Sequence, residues 1–326
     1  MTKRYQPPFT LTPTIVTLVE KISEALGRLS VLGENTKTLR LRRANRIRTI
    51  QASLAIEGNT LSLEQITAVL DGKRVLAPAK DLQEVRNALL AYEKLPSWNP
   101  YLLSDLLTAH QVLMTGLLDN PGNFRSTGVG IMKGEQVIHL APPVDRVPFL
   151  IKELLAWLKT TKDHPLISAS VFHYEFEFIH PFPDGNGRMG RLWQTLILAQ
   201  WNPLLAYIPV ESMIHDHQTE YYQAINQSTS KADSAVFIEF ILKMIHDSVK
   251  ESSHVSEKTS EKTSEKILCK IGENNAITIA ELALQMGLTT RSIERNLKVL
   301  QQLNKLIRVG PAKGGHWELR EDSHGH

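Results

Sequence analysis

Residues 256–266 read SEKT-SEKT-SEK, eleven positions without one apolar side chain. A stretch with nothing to bury cannot enter a core, so the chain has to build its cores on either side of it. The period of four stacks Glu257, Glu261 and Glu265 on one helical face, and Lys258 three residues before Glu261 offsets only part of that repulsion. The segment is therefore expected to be a solvated linker or a frayed helix extension, spanning about 251–265. A chain of 326 residues has room for two or three domains around it.

Composition decides what those domains are. Apolar residues make up 42% and charged residues 22%, ordinary globular usage, so the repeat is a local exception and not the start of wholesale disorder. The single cysteine, Cys269, excludes an internal disulfide framework and a multi-thiolate zinc site, and it reads as a small buried apolar residue. The first residues lack the apolar run of a signal peptide. The most apolar stretch, 192–210, is broken by Gln194, Gln200, Asn202, Pro203 and Pro209, so no membrane partner is expected. A cytoplasmic protein is the expectation.

Before the repeat the apolar spacing is helical. Ile15, Leu18, Val19, Ile22, Leu26 and Leu29 mark a helix over 11–32, and Leu39, Leu41, Ile47, Ile50 and Leu54 mark another over 38–56, stopped by Gly58-Asn59. Further helices are expected over 62–70, 81–95, 102–118, 148–159 and 166–179. Extended character is scarce; the clearest case is a hairpin of 129–132 and 136–140 around Gly134. The fold class is thus all-α with a β-hairpin flap, divided as 1–96, a core over 97–250, the linker, and 266–326.

After the repeat the pattern changes. Short helices over 265–271 and 279–286 lead through Gly287-Leu288-Thr289-Thr290 into a helix over 290–303, then two strands separated by 310–315. From Lys266 to Arg320 nine cations face four anions, and Arg291, Arg295 and Lys298 lie on the long helix. The segment resembles winged helix-turn-helix domains, which implies a DNA partner or, with the same fold, a protein-docking role through 266–320.

The chemistry sits in His180-Pro-Phe-Pro-Asp184-Gly-Asn-Gly-Arg188-Met-Gly-Arg191. Pro181 turns His180 out of helical geometry and ends the preceding helix there. Gly185 and Gly187 let the backbone approach a ligand, and a periodic helix begins near Asn186, so its free N–H groups form a nest for an anion. Arg188 and Arg191, three apart, share one face. Alone, His180 would serve as a loop histidine, Asp184 as an N-cap and the arginines as a solvated face. Together a histidine, a carboxylate for a divalent ion, an anion nest and two arginines make up a set for transfer from a nucleotide.

His-x-Phe-x-Asp-Gly-Asn-Gly-Arg-x-x-Arg is the signature of the Fic domain, and every specified position is matched. The resemblance covers about 97–245, with Pro121-Gly-Asn-Phe-Arg125 and the following hairpin similar to the family's flap. It implies AMPylation: AMP passes from ATP to a Ser, Thr or Tyr hydroxyl and pyrophosphate is released. His180 would then be the general base, a role suited to a group with an ordinary pKa of about 6.5. Asp184 would hold Mg²⁺; Gly185, Asn186, Gly187, Arg188, Met189, Gly190 and Arg191 would line the ATP site. Within it, Asn186 adds its side chain and Arg191 grips the γ-phosphate. Tyr222 would stand beside the adenine, or be a structural tyrosine. The flap at 129–140 would pair with an extended target segment. The chain itself is a second candidate target, and a second copy in a homodimer a candidate partner.

Upstream, Ser53-x-x-x-Glu57-Gly58 resembles the family's inhibitory motif. Glu57 paired with Arg191 would occupy the guanidinium that the γ-phosphate needs. The resemblance leaves open that Glu57 instead orients a water for removing AMP. Two other readings stay open: a winged-helix regulator whose Fic domain senses ATP, and transfer of a phosphate or another nucleotide. His215-Asp216-His217, with no third ligand, reads as a loop or helix cap.

Overall fold

The computed structural model describes residues 5–32, 36–128, 130–133, 136–311 and 314–320. In chain order the elements are α1 (Pro13–Leu32), α2 (Thr36–Ile56), α3 (Leu63–Leu70), α4 (Ala79–Lys94), α5 (Leu103–Met114), β1 (Gly130–Lys133) and β2 (Gln136–Leu140). They continue as α6 (Val147–Thr160), α7 (Pro165–Ile179), α8 (Asn186–Trp201), α9 (Val210–Asp216), α10 (Gln218–Lys231) and α11 (Ala235–Glu273). The chain ends with α12 (Ile279–Met286), α13 (Thr290–Gln302), β3 (Leu306–Val309) and β4 (His316–Leu319). It is mostly helical, as expected. Contacts gather into two units, 1–26 with 43–249 and 27–42 with 250–326.

The first unit is organised on α7. This helix is apolar nearly all round, Leu-Ile-Ser-Ala-Ser-Val-Phe-His-Tyr-Glu-Phe-Glu-Phe-Ile, and is buried along almost its whole length, as such a helix must be. It packs against α6 and α8. Two of its buried polar groups are matched within the unit: Ser170 Oγ donates to the Leu166 carbonyl at 2.8 Å, and Glu175 Oε2 accepts from Tyr5 Oη at 2.6 Å. The flap strands pair antiparallel, Gly130 with Leu140 and Lys133 with Gln136, with a register shift between Ile131 and Met132. Gly134, the expected hairpin tip, lies outside the described residues. Helix α5 stops at Met114, short of the expected 118, because the chain turns at Thr115 and Gly116 adopts φ 73°.

The second unit has its own core, drawn from Ile267 and Ile271 of α11, Leu282 of α12, Ile293, Leu297 and Leu300 of α13, Leu306 of β3 and Trp317 of β4. Thr278 and Glu281 form a reciprocal cap on α12, Gly287 closes it at φ 61°, and Thr289 caps α13 through the Ser292 N–H. Strands β3 and β4 pair antiparallel, Leu306 with Leu319 and Val309 with His316. Trp317 Nε1 donates to the Ile277 carbonyl at 3.1 Å, and the Arg308 guanidinium lies 4.7 Å from its ring centroid.

Two expectations need correction. Of the two forms expected for the repeat, the helix extension is the one found, and 265–271 is not a separate helix: α11 is helical without interruption from Ala235 to Glu273. Apolar residues anchor it at both ends, Phe237, Ile241 and Ile245 early and Ile267 and Ile271 late. Helix propagation across Glu and Lys, both good helix formers, then needs no burial of its own. Thr263, near the end of the repeat, is buried, and Ser264 Oγ donates to Asn296 Oδ1 at 3.1 Å. Cys269 is exposed, since Ile267 and Ile271 take the inward side of that turn.

Trp317 closes the second core, so Trp317→Ala should cost about 3–5 kcal/mol there. Hydrogen exchange checks this: protection should fall across 267–319 and stay unchanged in α7 and α8. Unchanged protection in 267–319 would show that the core closes without it.

Candidate active site

The loop between α7 and α8 is held from four sides. Helix α7 ends at Ile179, as expected from Pro181, and His180 caps it in the left-handed region at φ 48°. A non-glycine residue there is strained and must be held. Arg125 holds it: its Nε donates to the His180 carbonyl at 2.8 Å, and its own N–H donates to the Pro181 carbonyl at 2.9 Å. A cation on the last carbonyls of a helix is also favourable. The His180 side chain stays one-quarter exposed, so a substrate can reach it.

His110 of α5 holds the next turn. Its Nδ1 accepts the Gly122 N–H at 2.8 Å, which leaves the proton on Nε2, and Nε2 donates to the Asp184 carbonyl at 3.0 Å. Its ring stacks on Phe182 with centroids 3.7 Å apart. Gly185 caps α8 at φ 82°, a conformation that a side chain would strain. Asn186 differs from expectation. Its Nδ2 donates to the Phe182 carbonyl and its Oδ1 accepts the Phe182 N–H, both at 2.9 Å, so its side chain closes the loop and is not directed at a ligand. The amide's acceptor and donor fit the N–H and C=O of a single residue, Phe182, which fixes the turn before α8.

Asp184 is half exposed, with Oδ1 accepting the Gly185 N–H at 2.5 Å and Arg188 Nη2 at 3.2 Å. A fixed carboxylate open to solvent suits Mg²⁺, which binds one or two carboxylates and takes its other ligands from phosphates and water. Among the described residues no group of three or more acidic, His or Cys side chains could hold a metal ion. Arg188 also donates through Nη1 to Glu84 Oε1 at 3.1 Å. Glu84 in turn accepts from Asn59 Nδ2 at 2.8 Å, tying the turn after Glu57 to the motif.

Arg191 is fully buried and points to the end of α2. Its Nε donates to Ser53 Oγ at 3.0 Å, and its Nη2 donates to the Ser53 carbonyl at 2.9 Å and to Glu57 Oε1 at 2.8 Å. The spacing of four puts Ser53 and Glu57 on one face of α2, so both reach the same guanidinium. Burial opposes the charge on Arg191, yet Glu57 beside it raises its pKa above the ordinary arginine range. Glu57 also lies against the α8 start: a Cβ on Gly187 would overlap its Oε1. The carboxylate therefore sits against the first turn of α8.

Gly58 follows at φ 89°, reversing the chain after Glu57. Met189 and Gly190 are buried, and a Cβ on Gly190 would meet His173 and Glu177 of α7, so this side of α8 faces the core. Tyr222 is partly buried; burial first, and then the Glu57 charge, pushes its hydroxyl pKa up. Its neighbour Tyr221 is the fully buried one, 3.2 Å from His173 Nε2. His215-Asp216-His217 forms the junction of α9 and α10, a helix cap. Glu84, His110 and Glu177 were absent from the sequence reading because each is a lone titratable residue in an ordinary helix.

Burial pushes the His110 pKa down to about 4, against about 6.5 in the unfolded chain. The stability this neutral ring lends is complete above pH 6.5 and is lost as pH falls towards 4, because the unfolded state then binds the extra proton. Between pH 6.5 and 4.5 the wild type should lose about 2 kcal/mol more than His110→Gln. Urea unfolding of the two at both pH values checks this; equal losses would contradict it.

Residues 100–198 match the Fic/DOC family. The curated protein adenylyltransferase Fic of Culex quinquefasciatus is 30% identical over 237 residues, 68% of this chain and 44% of that protein. Protein adenylyltransferase fic-1 of Caenorhabditis elegans is 27% identical over 248 residues, 72% of this chain and 46% of that protein. This chain thus spans less than half the length of these curated relatives. The solved structure of Fic-1 from C. elegans, 22% identical with a TM-score of 0.64 over 75% of this chain and 73% of that one, shares the fold. The crystal structure of a Fic family protein from Desulfovibrio desulfuricans G20 is 48% identical with a TM-score of 0.75, covering 99% of this chain and 100% of that one. A match of that identity over the whole length, with the His180–Arg191 motif built as described, means that this chain belongs to the Fic family.

Proposed function

We propose that this chain is a protein adenylyltransferase restrained by its own Glu57. One observation carries the reading: Glu57 lies on Arg191 and against the first turn of α8, where the terminal phosphates of a nucleotide would have to bind. The N–H groups of Gly185, Asn186 and Gly187 cradle the phosphates, and Arg191 takes the γ-phosphate once Glu57 has left. Asp184 holds Mg²⁺, which neutralises phosphate charge when bound. An extended target segment pairs with the flap at 129–140, and its Ser, Thr or Tyr hydroxyl attacks the α-phosphorus while His180 takes the proton. The chain's own hydroxyls are targets of the same kind.

Glu57→Gly should raise AMP transfer from ATP labelled at the α-phosphate by about tenfold or more, and His180→Ala in that background should abolish it. Labelled protein on a gel is the readout. Equal labelling of wild type and Glu57→Gly would sink the restraint. Label from the γ-phosphate alone would turn the reading to phosphoryl transfer.

A second reading concerns the C-terminal unit. The capped pair α12 and α13 with the β3–β4 hairpin has the order of a winged helix, and α13 carries Arg291, Arg295 and Lys298 at spacings that fall along one side. We propose that α13 contacts a nucleic-acid backbone. Duplex binding followed by anisotropy should weaken with salt, and replacing the three cations by Ser should lower the slope of log K against log salt by about two to three. No binding at about 50 mM salt would favour a protein-docking module instead.

A further inference from the structure

Glu177 stands one turn before His180 in α7, outside the motif, and no step described so far uses it. Its side chain is 7% exposed. Oε2 lies 4.0 Å from His180 Nδ1, and Oε1 lies 3.9 Å from His173 Nε2. Among the described residues Oε1 has no hydrogen-bond partner. Helix α8 leaves room for this carboxyl at Gly190, where a Cβ would come within 2.9 Å of Oε1. An acid kept in such a place is costly, since an apolar side chain would fill the same space without the desolvation of a charge.

The groups that face it come from four helices. His173 and His180 face it from α7, Arg191 from α8, Tyr221 and Tyr222 from α10 and Glu57 from the end of α2. Burial pushes the Glu177 carboxyl up to about 8, with Arg191 pulling it down and Glu57 pushing it further up. Burial and then Arg191 drive His173 down to about 3, so that ring stays neutral and offers no counter-charge. Glu57 is ion-paired with Arg191, whose charge also reaches Glu177, and the Glu57 charge makes Glu177 harder to ionise.

We propose that Glu177 is a positioning residue for the transfer step, providing the negative charge beside His180 Nδ1, and that Glu57 on the shared Arg191 opposes that charge. The proposal rests on the adenylyltransferase reading. In the step itself the target oxygen bonds to the α-phosphorus and its proton passes to His180 Nε2. The bond from the α-phosphorus to the bridging oxygen breaks, and its electron pair leaves with pyrophosphate. His180 then carries protons on both ring nitrogens and a positive charge, which an ionised carboxylate 4.0 Å away favours. Removing Glu57 withdraws one negative charge from Arg191, so Glu177 ionises at lower pH and acts on His180 in the working range. Glu57 therefore restrains the site twice, on the phosphate side through Arg191 and on the proton side through Glu177.

The test compares Glu57→Gly with Glu57→Gly/Glu177→Gln and Glu57→Gly/Glu177→Asp in the full chain. Gln keeps the shape of the neutral acid and removes only the ability to ionise. His180 is titrated by NMR, its resonances identified with His180→Ala. Gln should lower the His180 pKa by about one pH unit, and Asp, which keeps the charge but draws it back, by less. In AMP transfer the Gln variant should lose about tenfold in kcat with the KM for ATP within about twofold. A His180 titration that stays within about 0.2 unit across all three chains would overturn the proposal. So would a Gln variant with unchanged kcat. If Glu57→Gly itself transfers no AMP, the adenylyltransferase reading fails, while the His180 titration still decides the role of Glu177. If the Gln variant does not fold, the Asp variant carries the same comparison with the smaller shift.

Discussion

The Arg191 guanidinium, buried and grasped by the end of α2, is the contact on which the arrangement of this site depends. A guanidinium out of water must have every donor engaged and a negative charge nearby, or the fold around it is penalised by several kcal/mol. Here the end of α2 engages Nε and Nη2 with one hydroxyl, one carbonyl and one carboxylate, all within about one turn of chain. The demand is local, but it dictates a long-range pairing. Helix α2 must end where α8 begins, and the turn after Glu57 must then be fixed by Asn59 on Glu84. Gln218 Nε2 donates to the Ile56 carbonyl at 3.0 Å and secures the same helix end from α10.

On the reading proposed above, a resting site and a working site share one backbone. The anion that Arg191 needs is interchangeable. A carboxylate and a terminal phosphate present similar oxygens to the same donors, so a ligand can replace Glu57 without leaving the guanidinium bare. The loop beneath is meanwhile held by contacts that do not involve Glu57: Arg125 on His180, His110 on Asp184, and Asn186 on Phe182. The strain of His180 is carried by these neighbours. Exchange at Arg191 therefore requires movement at the end of α2, not a rebuilding of the loop.

Much of this was legible in the sequence, for physical reasons that can be named. The 180–191 segment is readable because a proline, two glycines and two arginines at fixed spacings have few joint explanations, and the structure brings His180, Asp184 and Arg191 to one loop and helix start. The apolar periods of α1, α4 and α6, and the continuous apolar run of α7, are readable because burial forces them. The Asn186 contact with Phe182 was not legible because an amide side chain suits a phosphate and a backbone N–H and C=O equally well. Glu84, His110 and Glu177 were not legible at all: a lone acid or histidine in a helix has no pattern, and its role comes from a distant element that packs against it. The polar repeat hid the continuity of α11 because helix propagation between two anchored ends leaves no apolar trace. Cys269 faces solvent for a related reason, since phase along a helix, not residue type, sets exposure.

The central claim is that Glu57 and a γ-phosphate compete for Arg191. The direct measurement is calorimetric binding of ATP and of ADP, with Mg²⁺ present, to the wild-type chain and to Glu57→Gly. The account predicts that removing Glu57 tightens ATP binding by about tenfold, the scale of one charge-assisted contact, and leaves ADP, which has no γ-phosphate, nearly unchanged. Equal changes for both nucleotides, or none for either, would contradict it.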